Sequence, residues 1–282
     1  MGVLSNKIDF AVIISVDHAN PNGDPLNGNR PRTTFSGNGE ITDVCIKRKI
    51  RNRLQDMGEK IFVQSDDRCD DGCDSLSARA KAVISKGASS DEIAAQACEK
   101  WIDVRSFGQV FALKGDKQGS GVSVGVRGPV SIHQALSVSP IDINSLQITK
   151  SVSGESGTKK GSDTMGTKHM VEFGVYVIKG SINVQLAEKT GFTEEDADKI
   201  KDCLRTLFIN DASAARPDGS MEVVKVIWWK HNNKIGQYSS AKVHRSLKVT
   251  EKSGIEIPTS MDDYDIIVEP LEGLETEIIE GI

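Results

Sequence analysis

The run Ile8-Asp9-Phe10-Ala11-Val12-Ile13-Ile14-Ser15-Val16 constrains the fold more than any other stretch. It is nearly continuous, apolar and β-branched, which predicts a buried strand. The run ends at Asn20-Pro21-Asn22-Gly23-Asp24-Pro25, where Pro and Gly break pairing and Asn and Asp favour turns. A polar, Gly-rich loop follows through Arg30, Arg32 and Ser36-Gly37-Asn38-Gly39. Thr42 then stands where it can cap a helix, with Asp43 in the first turn, where negative charge suits the dipole.

On that helix Ile46, Ile50, Leu54 and Met57 share one face at a spacing near 3.6. Lys47 and Arg51 flank the stripe on one side and Lys49 and Arg53 on the other, while Arg48 points nearly opposite Ile50. From Pro25 to Gln55 seven Lys and Arg face two acids, Glu40 and Asp43. This local excess of five positive charges sits on a chain whose total is −5. A solvated helix face usually mixes in acids for ion pairs, and Val44 to Gln55 contains none, so the expected partner is an anion. The overall acidity does not exclude a nucleic acid. Residues 262–282 hold eight acids and no Lys or Arg, and without them the remainder carries +3.

Residues 65–101 are expected to be helical with polar breaks, one helix starting at Ser89 or Ser90 with Asp91 and Glu92 in its first turn. Phe107 to His133 is expected to be extended, with Val122, Val124 and Val126 alternating. Lys150 to Lys168 shifts to Ser, Gly, Thr and Lys between the extended segments Ser145 to Thr149 and Val171 to Val177. That is the pattern of a long hairpin arm or of an ordinary surface loop. Thr193-Glu194-Glu195-Asp196 resembles a capping box with Asp at the fourth place, followed by a core stripe of Ile200, Leu204, Leu207 and Phe208. Strands are predicted at Met221 to Trp229, Ala241 to Val249 and Tyr264 to Val268. The succession predicts an α+β chain with an RNA-recognition-motif or ferredoxin-like core and insertions.

Most catalytic patterns are missing. Gly121-Val122-Ser123-Val124-Gly125 matches the nucleophile elbow formally, but strand alternation runs through it and Gly128-Pro129 closes off any helix, so Ser123 is expected to be a strand serine. The glycines at 119, 121 and 125 miss the dinucleotide spacing, and no phosphate loop is present. The five histidines show no metal-ligand cadence. Cys69 and Cys73 lie in an acidic stretch that fails both zinc and calcium patterns and is expected to be a solvated loop. No metal or cofactor is expected. Asp24 is placed to ligate Mg²⁺ or, more simply, to brace its turn. Five cysteines without a framework predict a reducing, cytoplasmic setting, and no apolar run is long enough to cross a bilayer.

Six stretches resemble one family. They are Asn20-Pro21-Asn22-Gly23-Asp24-Pro25, Gly28-Asn29-Arg30-Pro31-Arg32, Thr42 to Asn52, Val126-Arg127-Gly128-Pro129-Val130-Ser131-Ile132, Thr164-Met165-Gly166-Thr167-Lys168-His169 and Asp211-Ala212-Ser213-Ala214-Ala215-Arg216. In this order they resemble the repeated backbone subunit of the CRISPR type I-C effector complex, of the Cas-seven (Csd-two and Csh-two) group. The resemblance implies one elaborated domain, residues 1–282. Its palm, of RNA-recognition type, would take about 1–60, 105–140 and 171–270. A helical insertion would take about 61–104, a protruding β-hairpin thumb about 145–170 and an acidic tail about 262–282.

It further implies a non-catalytic subunit. Copies line up along a CRISPR guide RNA, hold its backbone and leave its bases free to pair with target DNA. Other effector subunits and a recruited helicase-nuclease would be further partners, with no membrane. Carried over by motif, the phosphate contacts are Arg30, Arg32, Lys47, Arg48 and Arg51. Asn22 and Gly23 would place loop amides near the guide, and Met165 would act as a base-unstacking wedge with Lys168 and His169 beside it. The alternative is a metal-dependent RNase that cuts target RNA with Asp24.

Overall fold

In the computed structural model, which describes residues 2–113, 122–151 and 165–282, the first run becomes strand β1 (Ile8–Ala19) at the centre of a large sheet. A two-residue hairpin, β2 (Gly23–Asp24) and β3 (Arg30–Pro31), leads to β4 (Asn38–Ile41) and helix α1 (Asp43–Asp56). Then come α2 (Leu76–Val83), α3 (Ser90–Lys100), α4 (Ile102–Phe107) and the hairpin of β5 (Gly108–Leu113) and β6 (Val122–Arg127). The chain returns through β7 (Val130–Ile132), β8 (Ala135–Pro140), β9 (Ile143–Thr149) and the long β10 (Met165–Ile182). Helices α5 (Val184–Thr190) and α6 (Glu194–Arg205) precede β11 (Met221–Lys230). Last come α7 (Ser240–Ser246), β12 (Leu247–Glu251), β13 (Tyr264–Val268) and β14 (Glu275–Glu280).

The sheet order is β14-β11-β1-β10-β8-β4, with every pairing antiparallel. Within it β1, α1, β8, β10, α6 and β11 follow the βαββαβ succession of a ferredoxin-like fold. This α+β architecture agrees with the sequence reading. Alternate residues of β1 serve two cores. Ile8, Phe10, Val12, Ile14 and Val16 pack with Ile46, Ile50 and Leu54 of α1 and Ile200 and Leu204 of α6. Ala11 and Ile13 join Ile227, Trp229, Val243, Leu247 and Tyr264 on the other side. A strand covered on both faces has no place for a polar repeat, which explains its unbroken apolar run.

A third cluster gathers Phe62, Trp101 and Phe111, the Phe62 ring lying 4.8 Å from Trp101 and 5.0 Å from Phe111. It glues α2–α4 to the β5–β6 hairpin, where Ser123 is a strand residue as expected. Gly119 and Gly121 lie outside the described residues. The acidic stretch 66–74 is a loop tied to the buried Arg79, which donates to Asp71 Oδ1 (2.9 Å) and to the Phe62 carbonyl (3.0 Å).

Three local readings change. Residues 240–246 form α7 rather than the start of a strand. Ser239 accepts a hydrogen bond from the Lys242 amide (3.3 Å), and the turn buries Val243 and sets His244 Nε2 3.0 Å from the Gly180 carbonyl. Period-two alternation there coincides with a short helix face. Beyond the expected strand β13, the acidic C-terminal stretch also supplies the edge strand β14, where Glu277 pairs with Lys201 (3.0 Å) and Glu280 with Lys225. Finally, residues 65–75 carry no α-helix.

The caps behave as the sequence suggested. Thr193 and Asp196 form a reciprocal box, and Asp196 also takes two bonds from Arg105, at 2.7 and 2.9 Å. Burial alone raises this carboxyl, but the guanidinium and the Thr193 amide outweigh it and hold the pKa below the ordinary value. A lowered pKa means stabilisation that is present above about pH 4 and lost as the pH falls through the folded value. Asp196→Asn should therefore destabilise by about 3 kcal/mol near neutrality, and the gap to wild type should shrink on acidification. Denaturant titrations followed by circular dichroism at pH 7 and pH 3 measure both quantities; a pH-independent gap contradicts the account.

Tyr176 is fully buried, and its hydroxyl finds no hydrogen-bond partner among the described residues. A Cβ added at Gly39 would lie 2.1 Å from that oxygen. Tyr176→Phe should match wild type or gain up to about 1 kcal/mol, whereas Gly39→Ala should lose about 2 kcal/mol or more. Thermal melts of the two variants test this packing.

Candidate nucleic-acid interface

The loop between β1 and α1 is shaped by its own polar groups. Asn22 Oδ1 accepts from the Thr42 amide (3.0 Å) and hydroxyl (2.9 Å), and Thr42 Oγ1 in turn accepts from the Cys45 amide (3.2 Å). Asn22 thereby locks the loop to the helix start. Gly23 is needed for close approach, since a Cβ there would sit 2.1 Å from Asn29 Oδ1. Asp24 accepts from the Leu26 amide (3.2 Å) and pairs with Arg32 (3.4 Å), which braces the turn.

This loop throws Arg30 against the base of the long hairpin. Arg30 Nη1 donates to Ser145 Oγ (2.8 Å) and lies 3.4 Å from His169 Nδ1; Ser145 Oγ and His169 Nδ1 are 2.8 Å apart. The limbs are β9 and the first part of β10, with Ser145 opposite His169 and Thr149 opposite Met165. Side chains alternate along a strand, so His169 and Met165 share a face with Ser145 and Gln147. Gln147 Nε2 is 3.4 Å from the Met165 sulfur, and Met165 is 59% exposed. Lys168 stands opposite Leu146 on the other face. The expected trio is thus divided, Met165 and His169 together and Lys168 behind them. Residues 152–164, where the tip of the arm is expected and which include Thr164 of the fifth motif, lie outside the described residues.

Helix α1 is less free than its sequence suggests. Lys47 pairs with Asp43 (2.9 Å) and Arg53 with Asp56 (2.9 Å). Lys49, buried, pairs with Asp211, which also holds Arg216 Nε at 3.2 Å. Arg51 Nε meets Asp103 at 2.8 Å, and its guanidinium lies over the Phe107 ring at 5.1 Å. Asp103 is fully buried and accepts the Phe62 (2.7 Å) and Val63 (3.1 Å) amides as well. Arg48 Nη1 donates to the Val63 carbonyl (2.7 Å), and burial together with the neighbouring Arg51 charge pulls its pKa below the usual arginine range. Arg48 and Arg51 thus bind Val63 and Asp103, beyond the end of α1, and Lys49 binds the loop before β11. The partner acids come from distant sequence, except Asp43 and Asp56, whose i,i+4 and i,i+3 spacings are legible. Ser145 carries no sequence signal, because only strand register brings it to Arg30.

The surface a simple RNA-recognition motif uses for stacking bases is missing here. The sheet face away from α1 and α6 is covered by α7 and the β12–β13 hairpin. Among the described residues no group of three His, Cys, Asp or Glu side chains stands where it could hold a metal ion, and no helix is long and apolar enough to cross a membrane.

A curated protein of Haloferax volcanii, CRISPR-associated protein Cas7, is 25% identical over 222 residues, covering 72% of this chain and 64% of that one. The chain therefore spans a little under two thirds of that relative's length. Among solved structures, a chain of a CRISPR RNA-guided surveillance complex in a pre-nicking form superposes with a TM-score of 0.45 at 17% identity, over 79% of this chain and 78% of that one. A chain of another CRISPR RNA-guided surveillance complex gives 0.45 at 15% identity, over 79% and 68%. The family model for CRISPR-associated protein Cas7 matches residues 6–269, from the start of β1 through β13. With nearly the whole described fold inside that match, the chain belongs to the Cas7 family of CRISPR-associated proteins.

Proposed function

We propose that this chain is a non-catalytic backbone subunit of a type I-C CRISPR effector. Copies of it assemble along a guide RNA and leave the bases free to pair with target DNA. The observation that carries this reading is the meeting of Arg30 with Ser145 and His169, which joins the loop after β1 to the hairpin limbs in a Cas7-family chain. Arg30 and Arg32 hold phosphates there, with Lys47 at the helix edge, while Arg48 and Arg51 are spent on contacts within the fold. Asn22 and Gly23 shape the loop that carries the arginines. Met165 wedges against a base on the same face as His169, and Lys168 serves the opposite face of the arm. Contacts of this kind grip phosphate and sugar and leave sequence to base pairing. Other effector subunits and a recruited helicase-nuclease complete the assembly, in the cytoplasm.

On this reading, ligand cations and fold cations differ in what their loss does. Arg30→Ala should weaken guide binding about equally for all sequences and lower the salt slope by about 0.7, the value for one phosphate of a single strand. Arg51→Ala should instead destabilise the protein by about 3 kcal/mol, because it leaves the buried Asp103 unpaired. Anisotropy titrations over a salt series and thermal melts distinguish the two. Identical slopes for wild type and Arg30→Ala would remove the loop from the binding face.

Catalysis is tested directly. Incubated with complementary target RNA and Mg²⁺, the assembled protein should leave the strand intact over hours, as read on a denaturing gel. Regularly spaced cuts that vanish in Asp24→Ala would instead assign Asp24 to a metal-dependent RNase.

A further inference from the structure

Phe35 is the one aromatic side chain among the described residues that stands fully in solvent, at 110% of its reference exposure. Isolated exposed apolar residues are ordinary, but this ring is held out by an unusually well-tied turn. The Thr34 amide donates to the Asn38 carbonyl (2.8 Å) and the Gly37 amide to the Thr34 carbonyl (3.1 Å). Ser36 Oγ donates to Asn38 Oδ1 (2.9 Å), and Asn38 Nδ2 to the Ser137 carbonyl (3.0 Å). The Ile141 amide donates to the Gly37 carbonyl (3.1 Å), which fastens the turn to the start of the hairpin two residues before β9. A ring on so fixed a backbone has only its own rotamers to lose when a partner covers it.

The position suggests the partner. Phe35 follows Arg32 by three residues, and its turn is tied to the segment that carries Ser145, the residue Arg30 touches. A flat, uncharged ring three residues beyond Arg32, on a turn tied to the hairpin that Arg30 touches, matches a nucleotide, whose base stacks while its phosphate meets a cation. A protein pocket would accept any apolar side chain of similar bulk, whereas a base requires a π-face. Arg30, whose contacts are a hydroxyl and an imidazole rather than a carboxylate, favours the polyanion. We propose that Phe35 is a stacking platform for one unpaired base of the bound RNA strand. This rests on the guide-binding reading above, and it adds a base contact to the phosphate contacts already placed.

The test uses the full chain and a fluorescent guide-length RNA, comparing Phe35→Ala, Phe35→Leu and Phe35→Trp with wild type. Stacking predicts a loss of about 5- to 100-fold for Ala and nearly as much for Leu, with affinity retained for Trp and the salt slope unchanged. A 2-aminopurine scan along the RNA should find one register whose fluorescence is quenched by wild type and Trp, and not by Ala. Wild-type affinity in Phe35→Ala overturns the platform while guide binding stands. Full affinity in Phe35→Leu, together with smaller RNA-free assemblies of Phe35→Ala by native mass measurement, also overturns it and assigns the ring to a second copy of the chain. Failure of wild type to bind RNA at all would instead defeat the guide-binding reading, and the platform with it.

Discussion

Everything in this fold answers to the double burial of β1. A strand apolar on both faces has to be covered twice, by α1 and α6 on one side and by α7 with the β12–β13 hairpin on the other. The second cover removes the open sheet surface that a small RNA-binding domain would use. Polar chemistry is thereby pushed to the periphery, onto the loop that leaves β1 and the arm that extends from β10. The aromatic stacking signature is absent from the sequence for the same reason: aromatic residues of the sheet, such as Phe10, Trp228 and Trp229, are core residues.

Charge in α1 is a lesson in what a linear count omits. The helix has no acid between Val44 and Gln55, yet Asp103 and Asp211 reach it from far along the chain. These acids neutralise cations that a helical projection leaves facing outward. Buried pairs of this kind are weak evidence for net stability, because desolvation offsets much of the attraction. Breaking one is a different matter, since an unpaired buried carboxylate is left behind. Arg51 and Asp103 therefore act as a fastening between α1 and α4.

Much of the architecture was legible because local and global signals coincide. The strand at Ile8, the caps at Thr42, Ser89 and Thr193, and the strands at Met221 and Tyr264 each carry both a periodicity and a boundary residue. What escaped was set by tertiary contact. Helix α7 has the alternation of a strand, and only the packing of Val243 and His244 makes it a helix. β14 hides in an acidic stretch whose counter-charges, Lys201 and Lys225, belong to other elements. For the site, the loop arginines were legible from composition, while Ser145 and the split of Lys168 from His169 depend on register and on strand alternation.

β10 deserves to be considered as a mechanical part. Its 18 residues run unbroken from Met165, out on the arm, to Ile182, deep beside β1, with the change of partner at Val171. Such a strand spans roughly 55 to 60 Å. There is no hinge residue to invent between the arm and the central sheet, because one backbone is hydrogen-bonded along both parts. A load applied at Met165 is therefore passed through a two-stranded ribbon directly into the middle of the sheet, with no loop between to absorb it.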